Sequence, residues 1–370
     1  MKVYLDNAAS TRIDDEVVKV VQKCMNEIYG NPSSIHYIGS EANDAINNAR
    51  KIIAKKLNCK EDEIIFTSGG TEANNICIKG LLKGSSKKHL VTSKIEHSSI
   101  ISSCEHLEKE GYKVTFVGVD KFGMVDPKEV EKAITENTAL VSIMHANNEV
   151  GTIQPLEEIG KICKKKNVLF HTDAVQSFLK LPIDVKKLNL DAVSISSHKV
   201  HGPKGTGVLY LKKGLKLDKL MDGGKHEFDR RAGTQNVSGI VGFGKAVEVW
   251  KDSNIKKLRD YMIEKLEKIG GKLNGHRTKR LQNNVNVSFD DLDGENILLH
   301  LSCLGVAVAT GSACQEKEIQ ISYVLHAMGL EKNLAKGAIR LTLCRNTTKK
   351  EIDYAIDKVK EVVKSLKEVE

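Results

Sequence analysis

Seven short β-rich runs alternate with helical stretches between residues 64 and 212, and few architectures accept that order. The runs are IIFTS (64–68), HLVTS (89–93), KVTFVGV (113–119), LVSIMHA (140–146), VLFHTDA (168–174), AVSISS (192–197) and GVLYLK (207–212). Several are continuously apolar, as expected of strands covered on both faces. Upstream, Ala42, Ala45, Ile46, Ala49, Ile53 and Leu57 share one face of a helix. Asp126-Pro127 with Glu129, and Pro155 ahead of LEEIGKICKK, carry helix-start chemistry. The pattern predicts an α/β fold: a mainly parallel seven-stranded sheet with helices on both faces and ligands gathered at the carboxyl ends of the strands.

From about residue 250 the texture changes. A helical stretch (250–270) leads to strand-like NNVNVSF (283–289), a helix at 294–304 and a Gly/Ser loop at 310–314. Strand-like AIRLTLC (338–344) precedes a last helix whose start carries a Thr348/Glu351 capping box. This predicts a second, smaller α+β domain.

Eight cysteines are present, with neither a CxxC pair nor zinc-ligand spacing. MKVYLDNAAS has no secretory apolar core, and the run from Ile297 to Ala309 is too short to span a bilayer. The expectation is free thiols in a reducing cytoplasm, no membrane association, and seven of the eight cysteines simply packing. The net charge of +9 is spread along the chain, so clusters such as Lys164–Lys166 and Arg277, Lys279 and Arg280 read as solvated faces. With 5% aromatic residues there is little to stack bases, and no direct nucleic-acid binding is expected.

Four segments carry chemistry. SGGTEANN (68–75) follows a strand and opens a helix, where backbone N–H groups and the helix dipole favour an anion. Asp173 ends a second strand, and Lys199 of SSHKVHGPKG ends a third, where desolvation can hold an amine partly neutral for Schiff-base chemistry. TGSAC (310–314) places Cys314 on a loop. Alone, these are compatible with a tight turn, a helix cap, a surface lysine and an incidental thiol. Together, a phosphate cradle, an acid and a lysine after three strands describe pyridoxal phosphate chemistry.

These blocks, with YLDNAAST (4–11), GNPSSIH (30–36), EHSSI (96–100), HANNEVG (145–151), RAGTQNV (231–237), GSAC (311–314), SYVL (322–325) and IRLTL (339–343), run nearly end to end. In them the chain resembles a cysteine desulfurase of the NifS/IscS type, in the class V aminotransferase group of fold-type I pyridoxal phosphate enzymes. The resemblance implies a large cofactor-binding domain at 15–255. A small domain of 1–14 with 256–370 would carry the cysteine loop. It gives Lys199 as the amine bonded to the cofactor, Asp173 at the ring nitrogen, Gln176 at the phenolic oxygen and His97 on the ring face. Asn148 lies beside the ring and the substrate carboxylate. Gly70, Thr71, Ser196 and His198 take the phosphate, with Thr234 supplied by the partner of a homodimer. Arg340 clamps the substrate carboxylate.

The implied reaction takes sulfur from L-cysteine, releases L-alanine and leaves a persulfide on Cys314 for a sulfur-acceptor protein, either an iron–sulfur scaffold or a tRNA-thiolation enzyme. Lys199 and His97 are the proton-handling residues. No resident metal is implied; Cys314 is at most a ligand to an iron–sulfur cluster in transit. The nearest alternatives are a selenocysteine lyase and an aminotransferase of small amino acids, and a loop thiol has no use in the second.

Overall fold

A computed structural model of the chain describes residues 1–251, 253–311 and 321–369. Its strands are β1 (Val3–Tyr4), β2 (Ile64–Thr67), β3 (His89–Ser93), β4 (Lys113–Val117), β5 (Thr138–Ser142), β6 (Leu169–Asp173), β7 (Ala192–Ser196), β8 (Gly207–Leu211), β9 (Lys272–Leu273), β10 (Asn284–Ser288), β11 (Val306–Ala307) and β12 (Ala338–Thr342). The helices are α1 (Asp15–Glu27), α2 (Tyr37–Leu57), α3 (Gly70–Lys83), α4 (Ser98–Lys109), α5 (Pro127–Ala133), α6 (Leu156–Lys166), α7 (Val237–Glu248), α8 (Ile255–Glu267), α9 (Gly294–Cys303), α10 (Tyr323–Ala327), α11 (Lys332–Lys336) and α12 (Lys349–Val369).

All seven β-rich runs enter one sheet in the order β2-β8-β7-β6-β5-β3-β4. Its strands are parallel except β8, which pairs antiparallel with both β2 and β7. The reason is chain length: the segment from Ser196 to Gly207 holds only a single short 3₁₀ turn, too little for a parallel crossover. Both faces are buried, as the apolar runs required. Ile64, Phe66, Val141 and Val193 enter a core on one side with Ile53, Phe170, Phe178 and Phe243. Their neighbours Ile65, Leu140 and Ala192 enter a core on the other side with Ile76, Leu81 and Ile100.

A separate core is built where β10 pairs with β12 and β9, and α8, α9 and α12 cover them through Met262, Leu301, Ile352 and Val359. The N-terminal segment belongs to this core: Val3 and Leu5 pack in it, and β1 pairs with β11. The helical stretch read at 250–270 begins later, at Ile255, and α7 ahead of it packs against α1 and α2. The capping box forms, with Thr348 N donating to Glu351 Oε2 at 2.7 Å.

Two surface expectations need correction. Arg280 is buried, its guanidinium donating to the carbonyl oxygens of Val150 and Asn274, which take the place of solvent around the charge. Cys303 is exposed at the end of α9, whereas Cys24, Cys77, Cys104 and Cys163 are buried and Cys59 and Cys344 partly so. Among the described residues, no helix is long and apolar enough to cross a membrane, and no cluster of His, Cys, Asp and Glu could hold a metal ion.

Candidate active site

Antiparallel entry of β8 brings three strand ends together. Gly207 stands opposite Thr67 on one side and Ser196 on the other. The turn from β2 into α3 therefore lies against the start of β8, and a Cβ on Gly207 would come within 2.6 Å of Gly69 Cα. Gly70 has no more room, since its Cβ would meet Val175 Cγ2 at 2.6 Å. Glycines here let the first turn of α3 approach the ends of β6 and β7, with its leading N–H groups lacking intrahelical acceptors.

A cavity of about 420 Å³ opens at these strand ends. Of the twelve residues singled out from the sequence, ten line it: Gly70, Thr71, His97, Asn148, Asp173, Gln176, Ser196, His198, Lys199 and Arg340. Thr234 lies elsewhere, in a groove with Met25, Tyr29 and Pro32. Cys314 falls outside the described residues; Gly311 and Tyr323, which precede and follow it in the sequence, line the cavity.

Asp173 ends β6 and is 5% exposed. Its Oδ1 accepts from Val175 N at 2.9 Å and its Oδ2 from Asn74 Nδ2 at 2.7 Å. Asn74 Nδ2 also donates to Ser99 Oγ at 2.9 Å, and Ser99 Oγ is 2.8 Å from His97 Nδ1. His97 caps α4, accepting from Ser99 N. One polar chain thus joins the buried acid to the exposed imidazole. Asn74 and Ser99 fall within SGGTEANN and EHSSI, but their spacing in sequence carries no sign of this link.

Lys199 follows β7 in a 3₁₀ turn. Its Nζ donates to Ala8 O at 2.5 Å and Ala9 O at 2.8 Å, and Gln176 Nε2 donates to the same Ala8 oxygen at 2.9 Å. YLDNAAST contributes backbone acceptors here, which no side-chain pattern announces. His198 Nδ1 is 3.2 Å from Ser10 Oγ; burial and then the charge of Lys199 push this imidazole down to about 4.

Arg340 crosses from β12, donating through Nη2 to Asp6 Oδ1 at 2.9 Å and through Nη1 to Asn148 O at 3.1 Å. Its Nε and Asn148 Oδ1 are buried with no partner. Glu149 joins the same wall, accepting from Ser322 Oγ at 2.5 Å; burial pushes its carboxyl up to about 7.

These residues fit pyridoxal phosphate. A helix start with no space for a Cβ suits a phosphate, a buried carboxyl group suits a pyridine nitrogen, and a lysine lines the same cavity. Asn148 Oδ1 and Arg340 Nε, without partners among the described residues, leave polar capacity in the same cavity for an amino-acid substrate.

Comparison with known proteins agrees. Residues 3–355 match the family described as Aminotransferase class-V. A cysteine desulfurase IscS from Methanosarcina thermophila is 49% identical, the match covering 99% of this chain and 93% of the relative. A solved NifS-like protein superposes with a TM-score of 0.93 at 40% identity, covering 99% of this chain and 100% of the other. The solved structure described as SspA in complex with cysteine superposes with a TM-score of 0.86 at 36% identity, covering 94% and 100%. The chain therefore belongs to the class-V aminotransferases and, within them, to the cysteine desulfurases.

Proposed function

We propose that this cavity removes sulfur from L-cysteine and delivers it to Cys314, with each lining residue in a defined role. The observation that carries the reading is the meeting of ten sequence-selected residues on one cavity. Pyridoxal phosphate is the cofactor, and when bound it supplies the electron sink for charge developing at the substrate Cα. Gly70, Thr71, Ser196 and His198 would hold its phosphate, Asp173 its ring nitrogen, Gln176 its phenolic oxygen, and Lys199 its aldehyde carbon, with His97 over the ring.

The chain's own groups do the rest. Arg340 takes the substrate carboxylate in a two-pronged hydrogen bond, beside Asn148. Lys199 Nζ accepts the Cα proton and returns one to the carbon skeleton, which leaves as L-alanine. The Cys314 thiolate attacks the substrate sulfur; the S–S bond forms as the C–S bond breaks, leaving a persulfide. His97 serves as proton acceptor for that thiol, steadied by Ser99.

The reading includes a homodimer in which Thr234 reaches the second copy's phosphate site. Tyr29, Ile35 and Tyr37 support it: they are exposed and adjoin or share the segment that lines the Thr234 groove, a placement that suits burial against another chain. The division into 15–255 and 1–14 with 256–370 is supported by Val3 and Leu5 packing in the second core. Unpaired cysteines among the described residues fit a cytoplasmic location. The persulfide passes to an iron–sulfur scaffold or a tRNA-thiolation enzyme.

The test is direct. Pyridoxal phosphate should tint the purified protein, and borohydride should fix it on Lys199 in a peptide map. Cys314→Ser should keep the colour and yield no persulfide from L-cysteine; persulfide formation by that variant would remove Cys314 from its role. Sedimentation should give a dimer, and a fully active monomer would refute the shared site.

A further inference from the structure

Lys180 was given no role by its sequence context, and its position calls for one. It follows β6 in the turn that also carries Gln176, and the chain folds its amine inward. Its Nζ donates to the carbonyl oxygen of Gln176 at 2.9 Å and to that of Lys199 at 3.2 Å. Lys180 and Lys199 also share the wall of a small cavity with Thr11, His201 and Trp250, outside the main one. The charge acting on Lys180 among the described residues is the like charge of Lys199. A half-buried cation held by two carbonyl dipoles in place of a carboxylate is a costly arrangement for a merely structural residue.

The other groups around it are largely basic. His198 and Lys199 face it from the turn after β7, with His201 next along that segment. Arg345 stands beyond, after β12, paired with Asp14. Burial first, then neighbouring charge, pushes the Lys180 amine down to about 7, and Lys180 contributes in turn to the lowering at both histidines.

We infer that Lys180 is a positioning residue for Lys199: it ties the turn carrying Gln176 to the turn carrying Lys199 and sets a like-charged amine on the same cavity wall. The inference rests on the reading that Lys199 bonds the cofactor. A nitrogen that must shed its proton to bond an aldehyde carbon, and later accept one from Cα, is helped by a positive neighbour, which Lys180 supplies while it is protonated. Lys180 touches neither substrate nor cofactor, so the effect passes through Lys199.

The experiment compares wild type, Lys180→Met, Lys180→Gln and Lys180→Arg, each stripped of cofactor and titrated with pyridoxal phosphate, without substrate. The visible band of the Lys199–cofactor chromophore is followed against pH. In Lys180→Met the protonation midpoint should rise by about one unit, a tenfold change, as expected for removal of one nearby like charge. Cofactor release should also quicken several-fold, because the clamp is gone. Lys180→Arg is positively charged at every pH and should hold the midpoint at or below the wild-type value. If Lys180→Met does not fold, Lys180→Gln carries the same expectation. Loss of thermal stability alone does not discriminate, since a structural role predicts it too. An uncharged variant whose midpoint stays at the wild-type value overturns the inference while leaving Lys199 as cofactor lysine. A wild-type protein that never develops the band overturns both.

Discussion

Asn74 Nδ2 lies 2.7 Å from Asp173 Oδ2 and 2.9 Å from Ser99 Oγ, so one amide group serves both the buried acid at the end of β6 and the support of His97. Asn74 and Asp173 are both buried, which makes the bond between them costly to lose. Asn74→Ala leaves a buried carboxyl group short of one hydrogen bond, a loss of roughly 1–3 kcal/mol. Cofactor affinity should therefore fall roughly 10- to 100-fold. Titration of cofactor-free protein with pyridoxal phosphate measures this. An unchanged dissociation constant would show that Val175 N alone suffices to hold Asp173.

The Arg340 guanidinium is held in place on the cavity wall from two sides. Asp6 Oδ1 takes one Nη at 2.9 Å, Asn148 O takes the other at 3.1 Å, and Nε is left unpartnered and buried. Lysine cannot reproduce that fork. Arg340→Lys should raise the KM for L-cysteine by roughly 10- to 100-fold, the worth of a charge-assisted pair, with a smaller effect on kcat. Steady-state release of alanine resolves the two parameters, and a loss confined to kcat would move Arg340 from binding to chemistry.

Much of this site was legible because strand ends and glycine turns impose their chemistry locally. Lys199 and Asp173 each close an apolar run, and Gly69-Gly70 opens a helix, so their placement follows from the alternating pattern. The antiparallel entry of β8 was less visible, since it depends on a connection too short for a crossover helix. What could not be read was pairing across long separations. Asn74 and Asp173 are 99 residues apart, and Arg340 and Asp6 are 334 apart. Lys180 and Arg280 look like surface cations because sequence shows charge but not the carbonyl oxygens that accept it. The opposite error befell Cys303, where a helix end leaves a usually buried residue type exposed.

Glu96 predicts a pH signature in stability. Its Oε1 accepts from Ser93 Oγ at 2.6 Å and Met144 N at 2.9 Å, while Oε2 is buried without a partner. Burial raises its carboxyl from the usual 4.5 to about 8. Between those values the folded chain keeps a proton that the unfolded chain has released, so folding stability falls as pH rises through the window. Glu96→Gln stays neutral throughout and preserves the accepting oxygen. Its melting temperature relative to wild type should be nearly equal near pH 4.5 and higher by on the order of a few degrees near pH 8. Thermal unfolding at the two pH values checks the sign, and a difference that does not grow with pH would mean Glu96 is ionised in the fold.

The loop that presents Thr234 is anchored by a buried ion pair. Glu227, Phe228 and Asp229 all adopt left-handed backbone, at φ of 47°, 58° and 63°, a strained run for residues with side chains. Arg50 Nη1 and Nη2 donate to the two Glu227 carboxylate oxygens at 2.9 and 3.0 Å, and Phe66 N donates to Oε2 at 2.8 Å. The guanidinium also lies 4.8 Å from the Phe66 ring centre and 4.9 Å from that of Phe228. Glu227→Ala would leave Arg50 buried and unpaired and should cost about 3–5 kcal/mol. Replacing both partners by methionine removes the charge with its counter-charge, so the double variant should cost less than the sum of the two single replacements. Urea denaturation of the four proteins measures the coupling. Additive losses would mean that the strained turn is held by its backbone alone.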